Sequence, residues 1–280
     1  MKHIFLFLFT FFFLGTIQNY SQGKIDKAEK SLSQKQEQNR ISSRSRSNND
    51  DDDQYYGDSF LADSFGFILV DIFLYSSYYA LVETPIEREY AGSRASITKY
   101  PYLYDQKGNY SYEQDDTTTL FRTTFSSRFV AENNKLYGNH LNLNMRFLHR
   151  FGLEVDYLQL WEENSNFGTN TLAMYTALAK YHRVRTERFD AWWGLGATYV
   201  DGEVDEWGFT YGIGAEWFFA KPFSLETNFN QTFINDNTVN KFNAFVNYHV
   251  NRYKFSAGYE HLKIGSADFS LFTAGVSISF

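Results

Sequence analysis

"FTAGVSISF" (Phe272–Phe280) is the stretch on which the fold turns. Phe272, Ala274, Val276, Ile278 and Phe280 occupy one parity; Thr273, Gly275, Ser277 and Ser279 occupy the other. A period of two is the signature of a strand with one apolar and one polar face. The pattern runs to the last residue. A strand that closes a barrel needs nothing beyond its final pairing position, because its free edge is taken by the first strand. The expected partner is the stretch around Thr119–Ala131.

Working back from this strand, the same alternation recurs in segments of about ten residues separated by turn chemistry. Ten segments are predicted: Thr119–Ala131, His140–His149, Phe151–Trp161, Thr171–His182, Phe189–Val200, Trp207–Phe219, Phe223–Phe233, Asn240–Val250, Tyr253–Leu262 and Phe269–Phe280. In the second, Leu141, Leu143, Met145 and Phe147 oppose Asn142, Asn144 and Arg146. The fourth, "TLAMYTALAKYH", sorts poorly.

Alternation also fits a soluble barrel with its apolar face inward. Three features favour the inverted, membrane arrangement. The polar face is rich in amides and charges, as a lumen requires. Phe189/Tyr199, Trp207/Trp217 and Phe223/Phe233 are aromatic pairs ten residues apart on the apolar face. Ten residues at about 3.3 Å, tilted by about 40°, rise roughly 25 Å, the height between aromatic girdles. Finally, the turns "HRFG", "VRTERF", "FAKPFS" and "HVNRYK" look short, while "ENNKLYGN", "EENSNFGTN", "DGEVDE", "INDNTV" and "KIGSAD" look longer. Short periplasmic turns and longer external loops are expected of such barrels.

In these features the chain resembles the small Gram-negative outer-membrane β-barrels, of the aromatic-rich kind found in Bacteroidetes-type bacteria. Phe272, Ala274, Val276, Ile278 and Phe280 resemble the C-terminal signal read by the barrel-assembly machinery in that class. The resemblance implies an all-β, antiparallel transmembrane barrel of about ten strands in the bacterial outer membrane, with lipid and the assembly machinery as partners. Twelve strands is the alternative, if residues 95–113 join the wall. A fold of this class does not specify an activity.

The rest of the chain reads differently. "MKHIFLFLFTFFFLGTIQNYSQ" has the short basic start and apolar run of a signal peptide, expected to span residues 1–21. Residues 22–59 are polar and charged, and are expected to form a disordered tether. Residues 60–116 are expected to form a helix/hairpin segment, and 117–280 the barrel. Within the former, Leu61, Phe65, Ile68, Ile72, Tyr75, Tyr79 and Val82 have helical spacing. That helix packs at the barrel mouth or interface, or serves as a plug. A hairpin is expected around Lys107-Gly108.

Polar parity predicts a lumen lined by Arg122, Arg128, Arg146, Glu154, Asp156, Lys180, His182, Asp190, Glu216, Glu226, His249, Lys254 and Glu260. Mixed signs at similar depth point to a salt-bridged filling, with a narrow solute path as the alternative. Wide pores need sixteen or more strands. His140 and His261 are placed near the external ends, and no nucleophile–base spacing stands out, so no catalytic residue is assigned. Gly194, Gly196, Gly208, Gly212 and Gly214 on the lumen face make room for Trp192 and Phe218, or for a plug. With no cysteine and scattered histidines, no metal or cofactor is expected. The Asp50–Asp53 run and the acidic loop at Asp201–Glu206 read as solvated rather than calcium-binding. A formal charge of −7 argues against nucleic acid as a partner. The expected role is non-catalytic, structural or interaction; the alternatives are a narrow passive channel and an outer-membrane hydrolase.

Overall fold

The computed structural model describes residues 23–33, 95–104, 106–113, 118–164, 168–202, 204–235 and 237–280. The stretch 1–21, read as a signal peptide, and the helical spacing at 60–83 lie outside the described residues. Ten long strands form the wall: β4 (Phe121–Ala131), β5 (Leu136–Phe147), β6 (Phe151–Asn164), β7 (Gly168–Arg185), β8 (Phe189–Asp201), β9 (Glu206–Ala220), β10 (Phe223–Ile234), β11 (Asn237–Val250), β12 (Tyr253–Ile264) and β13 (Ala267–Ser279). Each pairs antiparallel with its neighbours in sequence, and β13 pairs with β4 to close the ring. All ten predicted segments are present, each within a few residues of its expected bounds.

Three short strands, β1 (Ser96–Thr98), β2 (Tyr110–Ser111) and β3 (Thr118–Thr119), form a separate sheet in the order β2-β1-β3. The twelve-stranded alternative is thereby corrected. Residues 95–113 are too short in extended backbone to match wall strands of eleven residues or more. Ser96↔Ser111 and Ile97↔Tyr110 pair across the turn that contains Lys107-Gly108, as the hairpin reading expects.

Side chains alternate across the wall. Outward positions carry Phe125, Phe129, Phe189, Trp207, Trp217, Phe233, Phe242 and Phe272, all exposed. Outward aromatics form cross-strand ladders. Phe147, Phe151, Tyr181 and Trp193 touch in turn across four strands, as do Tyr157, Tyr175, Tyr199 and Trp207. A closed sheet with no free edge and an apolar exterior satisfies every backbone group internally, which is what lipid demands.

The two rims are distinct. At the terminal rim lie Phe121, Phe280 and the turns 148–150, 186–188, 221–222 and 251–252. At the distal rim lie the turns 132–135 and 265–266 and the strand ends Asn164, Gly168, Asp201, Glu206, Ile234 and Asn237. The expected long external loops are therefore mostly strand: β6 continues to Asn164 and β11 begins at Asn237. Polar residues at these ends pair in the ladder rather than looping out, as in Gln231↔Asn240.

The seam ladder runs from Phe272↔Ala131 to Ser279↔Thr124, and is the shortest of the wall. It is extended by Phe280 N–H donating to Thr123 C=O (2.9 Å) and Thr123 N–H to Phe280 C=O (3.3 Å). Deleting Phe280 removes this last pair together with an outward aromatic. The expected outcome is a lower yield of the fast-migrating, unheated form on gels, with total protein unchanged.

The largest departure from expectation is α1 (Lys24–Ser33), which falls inside the stretch read as a tether. The low apolar content of residues 22–59 hides one periodic run. Ile25, Ala28 and Leu32 lie on one helical face and are fully buried. They seat in the distal mouth against Val130, Leu136, Leu160, Leu172, Ile234, Ile264 and Phe269.

Candidate functional site: the closed lumen

The lumen has a dry half and a wet half. The dry half lies at the distal rim. Inward positions there are aliphatic, including Leu158, Leu160, Leu172, Val200, Ile234 and Leu262. Such a surface inside a narrow barrel needs an apolar partner, and α1 supplies it. The helix is also held by polar contacts. The Glu162 carboxylate accepts from the backbone N–H groups of Lys24 (3.1 Å) and Ile25 (2.9 Å). These are orphan donors of the first helical turn, and a carboxylate there also complements the helix dipole. Lys24 pairs with Glu132 at 2.6 Å, and Asn170 donates to Asp26 at 2.6 Å. At the other helix end, Asn237 donates to Ser31 C=O (2.7 Å). Gly265, at φ 53°, has no room for a Cβ beside Ser31.

A threonine ladder lies on the inner side of this dry layer. Thr176, Thr198, Thr210 and Thr232 hydrogen-bond in sequence across β7–β10 at 2.9, 2.7 and 2.8 Å. Hydroxyls that donate to one neighbour and accept from the next suit a boundary between apolar and charged layers.

The wet half contains every residue that parity placed in the lumen. Arg122, Arg128, Arg146, Glu154, Asp156, Lys180, His182, Asp190, His249 and Glu260 are all buried; Glu216, Glu226 and Lys254 are partly so. They form three groups.

The first is central. Both nitrogens of His140 face carboxylates: Nδ1 to Glu260 Oε1 at 2.8 Å, Nε2 to Asp156 Oδ2 at 2.5 Å. Lys241 Nζ donates to Asp156 Oδ1 (2.5 Å), and Arg128 Nε lies 3.9 Å from Glu260. His140 is 0% exposed, so its expected external position is corrected. β5 starts at Leu136, which moves His140 well inside the wall. Lys241 went unassigned although its parity is inward.

The second group is at the terminal rim. Arg146 Nη1 donates to Asp190 Oδ2 (2.7 Å), and His182 Nδ1 meets Asp190 Oδ1 (2.8 Å). The 95–113 segment completes it. Arg122 donates to Thr98 C=O (3.2 Å) and Asn109 Oδ1 (3.0 Å), Asn109 donates to Glu216 (3.2 Å), and Arg146 hydrogen-bonds the Tyr110 hydroxyl. Arg185, shifted inward by a bulge between His182 and Val184, donates to Ala95 C=O at 2.8 Å. Tyr102 donates to Phe223 C=O (2.5 Å) and packs edge-on against Phe218 (5.5 Å). Burial, aided by nearby Glu216, pushes the Tyr102 hydroxyl up to about 12, so it stays a donor.

The third group pairs Lys180 with Glu154, and Lys254 with Glu226 at 2.9 Å. Lys180 Nζ also sits 3.6 Å from the centre of the Trp192 ring, a cation–π contact. Of the lumen glycines, Gly214 does what was expected for Trp192: a Cβ there would fall 2.6 Å from the indole. Phe218 instead lies against Gly108 of the 95–113 segment.

A polar cavity of about 80 Å³ remains between these groups, lined by Arg122, Lys180, Asp190 and Glu226 among others. Its size suits several waters. Ser224 and His249 form the nearest approach to a nucleophile–base pair, at 2.8 Å. The Ser224 hydroxyl is fully buried and donates to Glu216 (2.7 Å), and Glu216 lies on the Nε2 side of the ring (3.7 Å). An orienting carboxylate belongs on Nδ1, so this trio lacks triad geometry. Among the described residues, no group of three metal-ligating side chains converges.

No family model and no curated protein matches the chain. Solved structures overlap it loosely. The outer-membrane protein Ail of Yersinia pestis, in a phospholipid bilayer nanodisc, is 13% identical with a TM-score of 0.32; the match covers 57% of this chain and 99% of that one. The KdgM porin in complex with disordered oligogalacturonate is 13% identical with a TM-score of 0.35, covering 56% and 99%. The outer-membrane protein OprG of Pseudomonas aeruginosa is 14% identical with a TM-score of 0.30, covering 57% and 95%. A closed ten-stranded antiparallel ring, apolar outside and charged within, is the architecture of a bacterial outer-membrane β-barrel.

Proposed function

We propose that the protein is a non-conducting, non-catalytic barrel of the outer membrane, with a structural or interaction role. The observation that carries this reading is the double closure of the lumen. α1 seats Ile25, Ala28 and Leu32 in the distal mouth, while Tyr102, Asn109 and Tyr110 of the 95–113 segment are buried in the terminal one. Between them the charged side chains bond to one another, so little open path remains. In this reading the barrel-assembly machinery engages the closing strand at Phe272, Val276, Ile278 and Phe280, which face outward.

The test is conductance. Full-length protein in planar bilayers is expected to stay silent at low voltage, under conditions where a known porin gives discrete steps. Ohmic steps from the intact chain would overturn the reading. The polar cavity supports a second one, a gated solute path. It predicts discrete steps in Arg122→Ala/Arg146→Ala, which removes two side chains that line the cavity; silence in that variant would count against it.

A further inference from the structure

The four strand-to-strand turns of the terminal rim share a pattern that the lumen does not explain. Each places a cation beside an outward aromatic at the strand end: Arg150 before Phe151, Arg188 before Phe189, Lys221 two residues after Phe219, and Arg252 before Tyr253. The four aromatics are exposed on the lipid side. Arg188, Lys221 and Arg252 are exposed, and Arg150 is half-buried with its guanidinium 5.8 Å from the Tyr181 ring. Glu187 is the one carboxylate in these turns, and it is already paired with Lys107 at 2.6 Å.

The distal rim is built with the opposite sign. Among the described residues, its turns and outward strand ends carry Glu163, Asp201, Asp205 and Asp268 against Lys135 and Lys263; Glu132 is paired with Lys24. Its outward tyrosines donate to carboxylates, Tyr137 to Glu163 (3.2 Å) and Tyr199 to Asp205 (3.3 Å). The cations Lys27 and Lys30 belong to α1, which seats within the ring of strands, not on its lipid-facing circumference.

We infer that the terminal rim is a basic collar that binds the phosphates of anionic phospholipid headgroups. This rests on the membrane-barrel reading above. Girdle aromatics sit at headgroup depth, so a cation one or two residues beyond them meets the phosphate layer. Lysine and arginine near an anionic leaflet attract it, and the attraction fades with salt. The carboxylates of the other rim repel the same headgroups. The collar therefore assigns the terminal rim to a leaflet containing anionic glycerophospholipid.

The test uses the full chain inserted in phosphatidylcholine vesicles with and without 30 mol% phosphatidylglycerol. The readouts are the temperature at which the unheated gel form is lost, and quenching by brominated lipid. Single-tryptophan forms report each rim, Trp217 the terminal and Trp207 the distal. Phosphatidylglycerol is expected to raise the transition at low salt and to quench Trp217 preferentially, with no preference at Trp207. Arg150→Gln/Arg188→Gln/Lys221→Gln/Arg252→Gln should abolish both effects while still inserting, and each single change should weaken the preference about fivefold. Equal quenching of Trp217 by the two lipids, a preference at Trp207, or an unchanged preference in the fourfold variant each overturns the collar. Failure of the wild-type chain to insert into either vesicle overturns the membrane-barrel reading instead.

Discussion

Asp156→Ala is expected to cost the barrel about 3–5 kcal/mol, the usual result of removing one partner from a buried ion pair. Asp156 is shared by Lys241 (2.5 Å) and His140 (2.5 Å), and also accepts from Asn142 at 3.2 Å. Its loss strands an ammonium group in a site from which water is largely excluded. The double change Asp156→Leu/Lys241→Met removes both charges and leaves His140 its bond to Glu260 (2.8 Å). Replacing a buried pair by apolar groups of similar volume is often neutral, so the double variant should recover most of the loss. Urea midpoints of vesicle-embedded protein, read by tryptophan emission, give the comparison. A double variant as weak as the single one would show that the cost comes from lost packing, not from a stranded charge.

Leu32→Asp should release α1 while leaving the wall intact. Leu32 is fully buried against the aliphatic inner face of the distal rim, and an unpaired carboxylate there faces a desolvation penalty larger than the helix's remaining contacts offset. The sequence has no cysteine, so one introduced at Ala28 is a clean reporter. Ala28→Cys should resist a membrane-impermeant maleimide in the native form and label rapidly when combined with Leu32→Asp. The unheated gel form should persist in both, because the wall ladders do not involve α1. Unchanged protection in the double variant would mean that Leu32 does not hold the helix.

The wall is legible because strand periodicity survives in nine of the ten segments, and the seam because the final strand keeps its alternation through Ser279. The segment that sorted poorly shows where legibility fails. On β7, Leu172, Met174 and Leu178 point inward while Ala177 and Ala179 face lipid, so both parities are apolar. The inward apolar set exists because α1 covers it. The helix itself was hidden by averaging: three apolar residues at helical spacing among lysines, glutamates and serines leave a window polar overall. His140 was misplaced for a different reason. Parity assigns it to the lumen, but a late start for β5 set it at the rim. Glu162 gave no signal at all, since a capping carboxylate supplied from another element has no local sequence pattern.

The shortness of the seam has a mechanical consequence. A closed ring under tangential load fails at its weakest link, and between β13 and β4 fewer backbone bonds share that load than between any other neighbours. Pulled sideways from the outside, the cylinder should unzip along this line before any hairpin parts. The nine remaining ladders then hold as a single curled sheet, a torn hoop instead of scattered strands.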